Sequence, residues 1–389
     1  MSSPRLVAVI GATGAQGIPV VRDLLKSGDY SIRVLTRDTN SARFKELQAF
    51  GPIESVVGTF ASEESLRATF RGAWGAFVNI DGFNSGEKNE IFWTIRGKIF
   101  SLFCRIPTLG AEATIGAWEL ALEEGVQFYV HGNLDYAWKK GGFRREFYCG
   151  HYDGKGRVAE WMLKTQNQDP AVHSRMRTAA LTTGPYIEMT IAHGTPFPAA
   201  VEDGIATWHV PLGANGAVPF VALDDVGVYA KYLFDNFDGA ADGLDLEVAI
   251  EHVTFEEYAR AFTRVTGQPA QWIDGDVDAH LTAIWGAGAE RPAGYNADAK
   301  DAGTLTLRQN FTAFFNLWRA SGGNKGVIRR DYGMLDRIFP GRIKSVEEWM
   351  RRENEKGLEA GLGSLWDRIQ PQNMRHILKI TEDGRKGTI

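Results

Sequence analysis

The chain has 389 residues, 44% of them apolar and 23% charged, with a formal net charge of −5. That composition supports a real core and excludes wholesale disorder. The charge balance suggests neither nucleic acid nor an anionic membrane as a direct partner. Two cysteines, Cys104 and Cys149, build no disulfide framework and match no zinc-ligand spacing, so a reducing compartment and no metal site are expected.

At the N-terminus, "MSSPRLVAVIGATGAQG" has an apolar run only from Leu6 to Ile10, too short for the core of a signal peptide. No window approaches the roughly eighteen apolar residues of a membrane span. The expectation is a soluble intracellular protein, in the cytoplasm or also in the nucleus.

The run "LVAVI" reads as a strand buried on both faces; "GATGAQG" follows directly, and "IPVVRDLLKSG" continues at helical period. Strand, glycine turn and helix together give the context of a dinucleotide loop. Gly11 is expected to make the tight turn, Gly14 to let the backbone approach a pyrophosphate, and Gly17 to let the helix pack on the strand. The phosphates would then meet free N–H groups at a helix N-terminus. The second strand, "SIRVLTR", ends in Arg37 where an NAD site usually has a carboxylate. A guanidinium suits a 2′-phosphate, so the expected cofactor is NADP, with Ser41 and Arg43 assisting.

Further alternation follows in "IESVVGTF" (53–60), a helix from Glu63 to Phe70, "WGAFVNI" (74–80), a helix, "VQFYVHG" (126–132), a helix beginning near Gly154, and "RTAALTTG" (177–184). Repeated strand–helix units predict an α/β fold with a doubly wound parallel sheet. From about residue 190 the pattern changes to short strands, "TWHVPLG", "AVPFVAL" and "LEVAI", among helices opened by Thr254-x-x-Glu257 and Ser345-x-x-Glu348, both read as capping boxes. Residues 1–190 are therefore expected to form the cofactor domain, and 191–389 a smaller α/β lobe for a substrate or partner. "EDGRKGTI" reads as a frayed tail.

"VIGATGAQG", "RVLTRD", "HYDGKGRVAEW" and "SVEEWMRRENEKG" together resemble the NmrA-like family, an atypical branch of the short-chain dehydrogenase/reductase superfamily. The resemblance implies a Rossmann-type fold binding NADP(H). It implies two kinds of function: an oxidoreductase acting on a small-molecule substrate, often in secondary metabolism, or a non-catalytic redox sensor acting through a regulatory protein partner. It also implies cofactor contacts from Thr13, Ala15 and Gln16 in the glycine loop, Asn79 after the fourth strand, and Tyr186 and Glu188 in "GPYIE". Many relatives have an acidic residue near the adenine; this chain offers Thr59 in "GTF".

In ordinary short-chain reductases a Tyr-x-x-x-Lys pair opens the helix that here begins "HYDGKG". The lysine binds the nicotinamide ribose and lowers the pKa of the tyrosine. The lysine is Lys155, but four residues earlier stands His151. Tyr152 is one position out of register, rotated about 100° away on a helix. The usual serine is replaced by Gly132 and Asn133. As an enzyme, the protein would rely on Lys155 with His151 as acid, although Lys155 lowers the imidazole pKa, or it would pass hydride to an activated C=C bond without a tyrosine. As a sensor, it would keep His151 as a structural polar residue. Trp208, Phe220, Tyr229, Phe314, Phe315 and Trp318 suit a core better than a substrate pocket. Asp224 and Asp225 read as helix caps, a hydrolase triad lacks its nucleophile elbow, and Cys149 has no activating partner beyond His151.

One segment interrupts the resemblance. Without "GKIFSLFCRIPTLGAEATIG" (97–116), "EIFWTIR" runs into "AWELALEEGVQFYV" as one helix of ordinary length, with Arg96 facing the cofactor; with the segment, Pro107 and Gly110 break it. One reading is an apolar lid or docking loop bearing Ile99, Phe100, Leu102 and Phe103. The other is a retained intron: Gly97-Lys98 can be written with a donor sequence, Ile115-Gly116 with an acceptor, and the segment spans sixty nucleotides.

Overall fold

The computed structural model describes residues 3–94 and 116–378. The expectations for Arg96, Cys104, the tail and all of the interrupting segment except Gly116 lie outside those residues. Gly116 precedes a helix over Ala117–Glu123.

Seven parallel strands form the central sheet: β1 (Arg5–Ile10), β2 (Tyr30–Thr36), β3 (Ile53–Val57), β4 (Gly75–Val78), β5 (Phe128–Leu134), β6 (Arg177–Thr183) and β10 (Asp245–Glu247). Their spatial order is β10-β6-β5-β4-β1-β2-β3. The order explains the apolar run of β1. Val7 and Val9 face one helical layer and Ala8 and Ile10 the other, so every residue of the run meets a core. The chain leaves β1 toward β2 on one side and β4 lies on the other, making the C-terminal ends of β1 and β4 the switch point where such sheets hold ligands.

One layer contains α1 (Gly17–Ser27), which packs on α7 (Leu223–Asp235). The opposite layer contains α3 (Glu63–Phe70), α5 (Ala117–Glu123) and α6 (Gly150–Gln168). This part of the chain also contains α2 (Ala42–Ala49), α4 (Glu87–Thr94) and short helical turns at Gly82–Ser85, Ala137–Lys140 and Pro170–His173. The expected division at residue 190 does not follow these layers. Val221, Val226, Tyr229, Leu233, Phe234 and Leu246 share a core with β1 and α1, and "LEVAI" supplies the edge strand β10. The chain enters the second lobe, returns to cover the sheet, and leaves again, with α7 packing on α1 in the core they share with the sheet.

The second lobe has a three-stranded sheet, β12-β8-β7, with β7 (Ala199–Glu202), β8 (Ile205–His209) and β12 (Ala270–Ile273), and a two-stranded sheet of β9 (Val218–Phe220) and β11 (Glu251–Val253). Around them pack α8 (Phe255–Thr266), α9 (Val277–Trp285), α10 (Leu307–Arg319) and α11 (Val346–Glu359). Trp208, Phe220, Phe314, Phe315 and Trp318 are buried in this lobe's core, and Tyr229 in the core of the sheet. The two expected capping boxes are half-formed. Thr254 and Ser345 accept from the N–H of Glu257 and Glu348, but Glu348 returns its hydrogen bond to Lys344. A complete box occurs instead at Thr306 and Gln309. Asp224 and Asp225 lie inside the first turn of α7 rather than capping it; Asp224 pairs with Arg22 of α1 and Lys356 of α11, and Asp225 accepts from the Ile343 N–H.

A buried ion pair ties the lobe to the sheet. Asp135, just past β5, accepts two hydrogen bonds from the Arg330 guanidinium at 2.9 and 2.7 Å, and both side chains are fully buried. Lys140 adds a third donor at 2.7 Å. The two cations hold the Asp135 carboxyl far below its ordinary range against the opposing effect of burial.

Candidate functional site

The glycine loop has the geometry its sequence implies. Gly11 adopts a left-handed φ of 81°, and a Cβ there would collide with the carbonyl of Asn79. Its own carbonyl accepts from the Gly14 N–H at 2.9 Å, closing the turn. A Cβ on Gly17 would strike the Gly11 and Ala12 backbone, so α1 packs against the loop only because residue 17 has none. Gly14 and Ala15 form the partly exposed crest, with Thr13 buried beside them.

Across the C-terminal edge of the sheet runs a relay of side chains. The Gln16 amide donates to Thr183 Oγ1 of β6 at 2.9 Å, and its Oε1 accepts from Asn79 Nδ2 at 2.9 Å. Asn79 Oδ1 in turn accepts from Lys155 Nζ at 3.0 Å, while the Ile80 carbonyl accepts from the same ammonium at 2.8 Å. Tyr186, just past β6, reaches the Gln16 side chain. Gly132 on β5 makes room: a Cβ there would lie 2.7 Å from that of Asn79. Gln16, Asn79, Lys155 and Tyr186 are thus gathered at the switch point. Lys155 projects from α6 after a first turn held by Asp153, whose carboxylate accepts from the N–H groups of Cys149 and Trp138, both at 2.8 Å. Burial raises Asp153 to about 7 despite these donors.

Arg37, Ser41 and Arg43 surround the loop after β2. Ser41 caps α2 by accepting from the Phe44 N–H, and Arg43 donates to the carbonyls of Thr13 at 3.4 Å and Ile377 at 2.9 Å. The segment reaching Arg43 comes from the second lobe: the carbonyls of Arg375 and Pro371 accept from the backbone and Nε2 of His193. Thr59 lies at the neighbouring strand end, where its hydroxyl accepts from the Ala61 N–H.

Glu188 departs from its expected role. Its Oε1 accepts from the Leu223 N–H at 2.9 Å, capping α7 where Ala222 cannot, while Oε2 is buried without a hydrogen bond. Burial raises this carboxyl to about 8. Its side chain serves the helix behind the sheet and does not join the relay.

His151 sits between the lobes. Its ring lies 4.8 Å from Phe83 and 5.3 Å from Phe311, centroid to centroid, and Trp285 packs at a tilt against Phe311, 4.6 Å away. Burial lowers its pKa to about 4; the hydrogen-bonding contact with the Asn310 side chain opposes this and Lys155 adds to it. The uncharged imidazole is therefore favoured at neutral pH, which weighs against a proton-donating imidazolium. Tyr152 turns away, as its register requires, into the lobe core against Phe314 and Trp318. Cys149 is fully buried, with a thiol pushed up by burial, and lies 3.3 Å from His151 Nδ1. Cys149, His151 and Asn310 do not form a nucleophilic triad, because cysteine and asparagine meet the same ring nitrogen and leave no relay across the ring.

Asn310 was not legible as a site residue. It lies on α10, 159 positions from His151, and its one sequence signal is a polar residue in the apolar stripe that continues at Phe314 and Leu317.

A parallel sheet with a glycine loop and a buried lysine at its switch point defines a Rossmann-type protein of the nucleotide-binding class. Residues 3–92 match the model of the NmrA-like family. The chain is 28% identical over 374 residues to the NmrA-like family domain-containing oxidoreductase malD of Malbranchea aurantiaca, covering 91% of this chain and 98% of that one. It is 29% identical over 282 residues to the similarly named hkm9 of Aspergillus hancockii, covering 70% and 75%. In three dimensions the chain resembles NmrA, a negative transcriptional regulator, with 16% identity, a TM-score of 0.63, and coverage of 93% and 99%. It also resembles the Escherichia coli quinone oxidoreductase QOR2 solved with NADPH, with 17% identity, a TM-score of 0.59, and coverage of 88% and 98%. These last likenesses establish the fold. No described helix is long and apolar enough to cross a membrane.

Proposed function

We propose that the chain binds NADP(H) at the glycine loop and acts as an oxidoreductase on a small organic acceptor. The observation that carries this reading is the Lys155–Asn79–Gln16 relay, which fixes an ammonium at the switch point beside a loop whose Gly11 and Gly17 accept no side chain. The residues fit the group. The N–H groups that open α1 suit a pyrophosphate, Lys155 suits a ribose hydroxyl, and Arg37, Arg43 and Ser41 together suit a 2′-phosphate. When bound, NADPH supplies a hydride equivalent. The relatives named as oxidoreductases, and the NADP and NADPH complexes of NmrA and QOR2, support the same reading.

The chain's own contribution is to hold and to polarise. Lys155 binds and orients; Phe83, Phe311 and Trp285 exclude water beside His151. The buried Tyr152 gives no proton, so an acceptor heteroatom must draw one from water. That same loss favours the alternative, a redox sensor that binds NADP(H) and signals to a protein partner, since nothing in the tyrosine's place is a charged acid. The test is a fluorescence titration with NADPH followed by an oxidation assay over enones, aldehydes, imines and quinones. Binding with turnover of at least one class supports the enzyme; binding with none supports the sensor; no binding removes both.

A further inference from the structure

Resting on the reductase reading above, we infer that Asn310 is a positioning residue that locks His151 as a neutral imidazole with its proton on Nε2, so that His151 meets a carbonyl or imine acceptor as a hydrogen-bond donor. The argument is one of donors and acceptors. The backbone N–H of His151 can only donate, and Asn310 Oδ1 lies 3.3 Å from it. That orients the amide, leaving Asn310 Nδ2 2.7 Å from His151 Nδ1. Asn310 Oδ1 also lies 3.1 Å from Nδ1, but the shorter contact is with Nδ2, and an amide nitrogen has no lone pair to offer: a proton on Nδ1 would point a donor at a donor, so Nδ1 accepts. Cys149 Sγ, buried and 3.3 Å from the same nitrogen, can donate to it as well, its other acceptor being Asn310 Oδ1 at the longer distance of 3.8 Å. With two donors directed at Nδ1, the single proton of a neutral ring belongs on Nε2, which has no partner among the described residues.

Asn310 itself is fully buried and belongs to the second lobe, so the tautomer depends on the lobe being docked. A neutral imidazole donor polarises an oxygen or nitrogen without surrendering its proton. The heteroatom that gains electron density on hydride addition takes its proton from water, and the ring ends as it began. An acceptor lacking such a heteroatom would gain nothing from His151.

The test uses the full chain labelled with ¹⁵N-histidine, with His151 assigned from the spectrum of His151→Gln. The expected spectrum has Nε2 as the protonated, pyrrole-like nitrogen and Nδ1 as the pyridine-like one. In Asn310→Asp a carboxylate replaces the amide donor, so the proton should move to Nδ1. Reduction of 9,10-phenanthrenequinone and 2-cyclohexenone by NADPH should then fall roughly 100-fold in kcat, while NADPH affinity stays within about twofold. Asn310→Leu serves if the aspartate variant fails to fold: loss of the donor should shift the Nδ1 resonance and bring both tautomers into exchange. Proton on Nδ1 in the native protein, or an imidazole spectrum unmoved by either substitution, overturns the inference. The expected spectra with no turnover of either probe would leave the tautomer lock standing and count against the reductase reading instead.

Discussion

Lys155 is held by Asn79: its ammonium donates to Asn79 Oδ1 at 3.0 Å, and the other end of that amide donates to Gln16 Oε1 at 2.9 Å. Asn79→Leu removes both bonds and leaves the buried Gln16 oxygen without its donor, a loss of about 1–3 kcal/mol. We expect the melting temperature to drop and NADPH affinity to fall about tenfold in a fluorescence titration. Asn79→Asp keeps the acceptor for Lys155 and should fall between. Native affinity in Asn79→Leu would detach the relay from cofactor binding.

Arg37→Asp places a carboxylate where a 2′-phosphate is expected. NADPH affinity should fall by roughly 100-fold and NADH affinity by a few-fold at most, measured by calorimetry, because like charges meet only in the first case. Equal weakening of both cofactors would argue against NADP as the preferred ligand.

Glu188 predicts how stability depends on pH. Its folded pKa, near 8, lies above its ordinary value of 4.5, so between the two the native state holds a proton that the unfolded state has lost. Stability therefore falls as pH rises through that window, by up to roughly 1.4 kcal/mol per pH unit. His131, His151 and His252 act in the opposite sense. Burial holds them near 3, 4 and 4, and they destabilise the fold as pH drops below their ordinary 6.5. Melting temperature should peak between these limits. Glu188→Gln should flatten the decline between pH 6.5 and 8, leaving the smaller part due to Asp153; a curve unchanged by the substitution would show that Glu188 ionises normally.

The Asp135–Arg330 pair should resist single substitutions and tolerate paired ones. Arg330→Met leaves Asp135 buried with Lys140 alone, and Asp135→Leu leaves Arg330 buried with Glu247 3.8 Å away. Each should cost about 3–5 kcal/mol in urea unfolding, and the double variant less than the sum. Additive costs would mean that the two groups are not coupled.

Much of the sheet was legible because local patterns decide it. "LVAVI" before "GATGAQG" has the continuous apolar run of a strand covered on both sides, and Glu63–Phe70 forms the helix read from its letters. The division at 190 was misread because nothing in "LDDVGVYAKYLF" says which lobe its apolar stripe will cover; only α1, two hundred residues earlier, supplies the answer. In the site, Lys155 and the glycines were readable because their spacing is local. Glu188 was not, since its partner is a backbone N–H on α7, and Asn310 was not, since its partner lies on another lobe. The neutrality of His151 depends mainly on burial, and only folding reveals that.

The segment that brings Ile377 to Arg43 makes its contacts through carbonyl groups: Ile377 to the guanidinium, and Arg375 and Pro371 to His193. Main-chain oxygens are the same whatever side chain accompanies them, so this clasp leaves no letter for a sequence comparison to find. Relatives can replace residues 375 and 377 freely and keep it. A single-residue deletion between 371 and 377 would change the spacing between these oxygens and draw at least one of them away from its donor, so for these three contacts spacing matters more than identity.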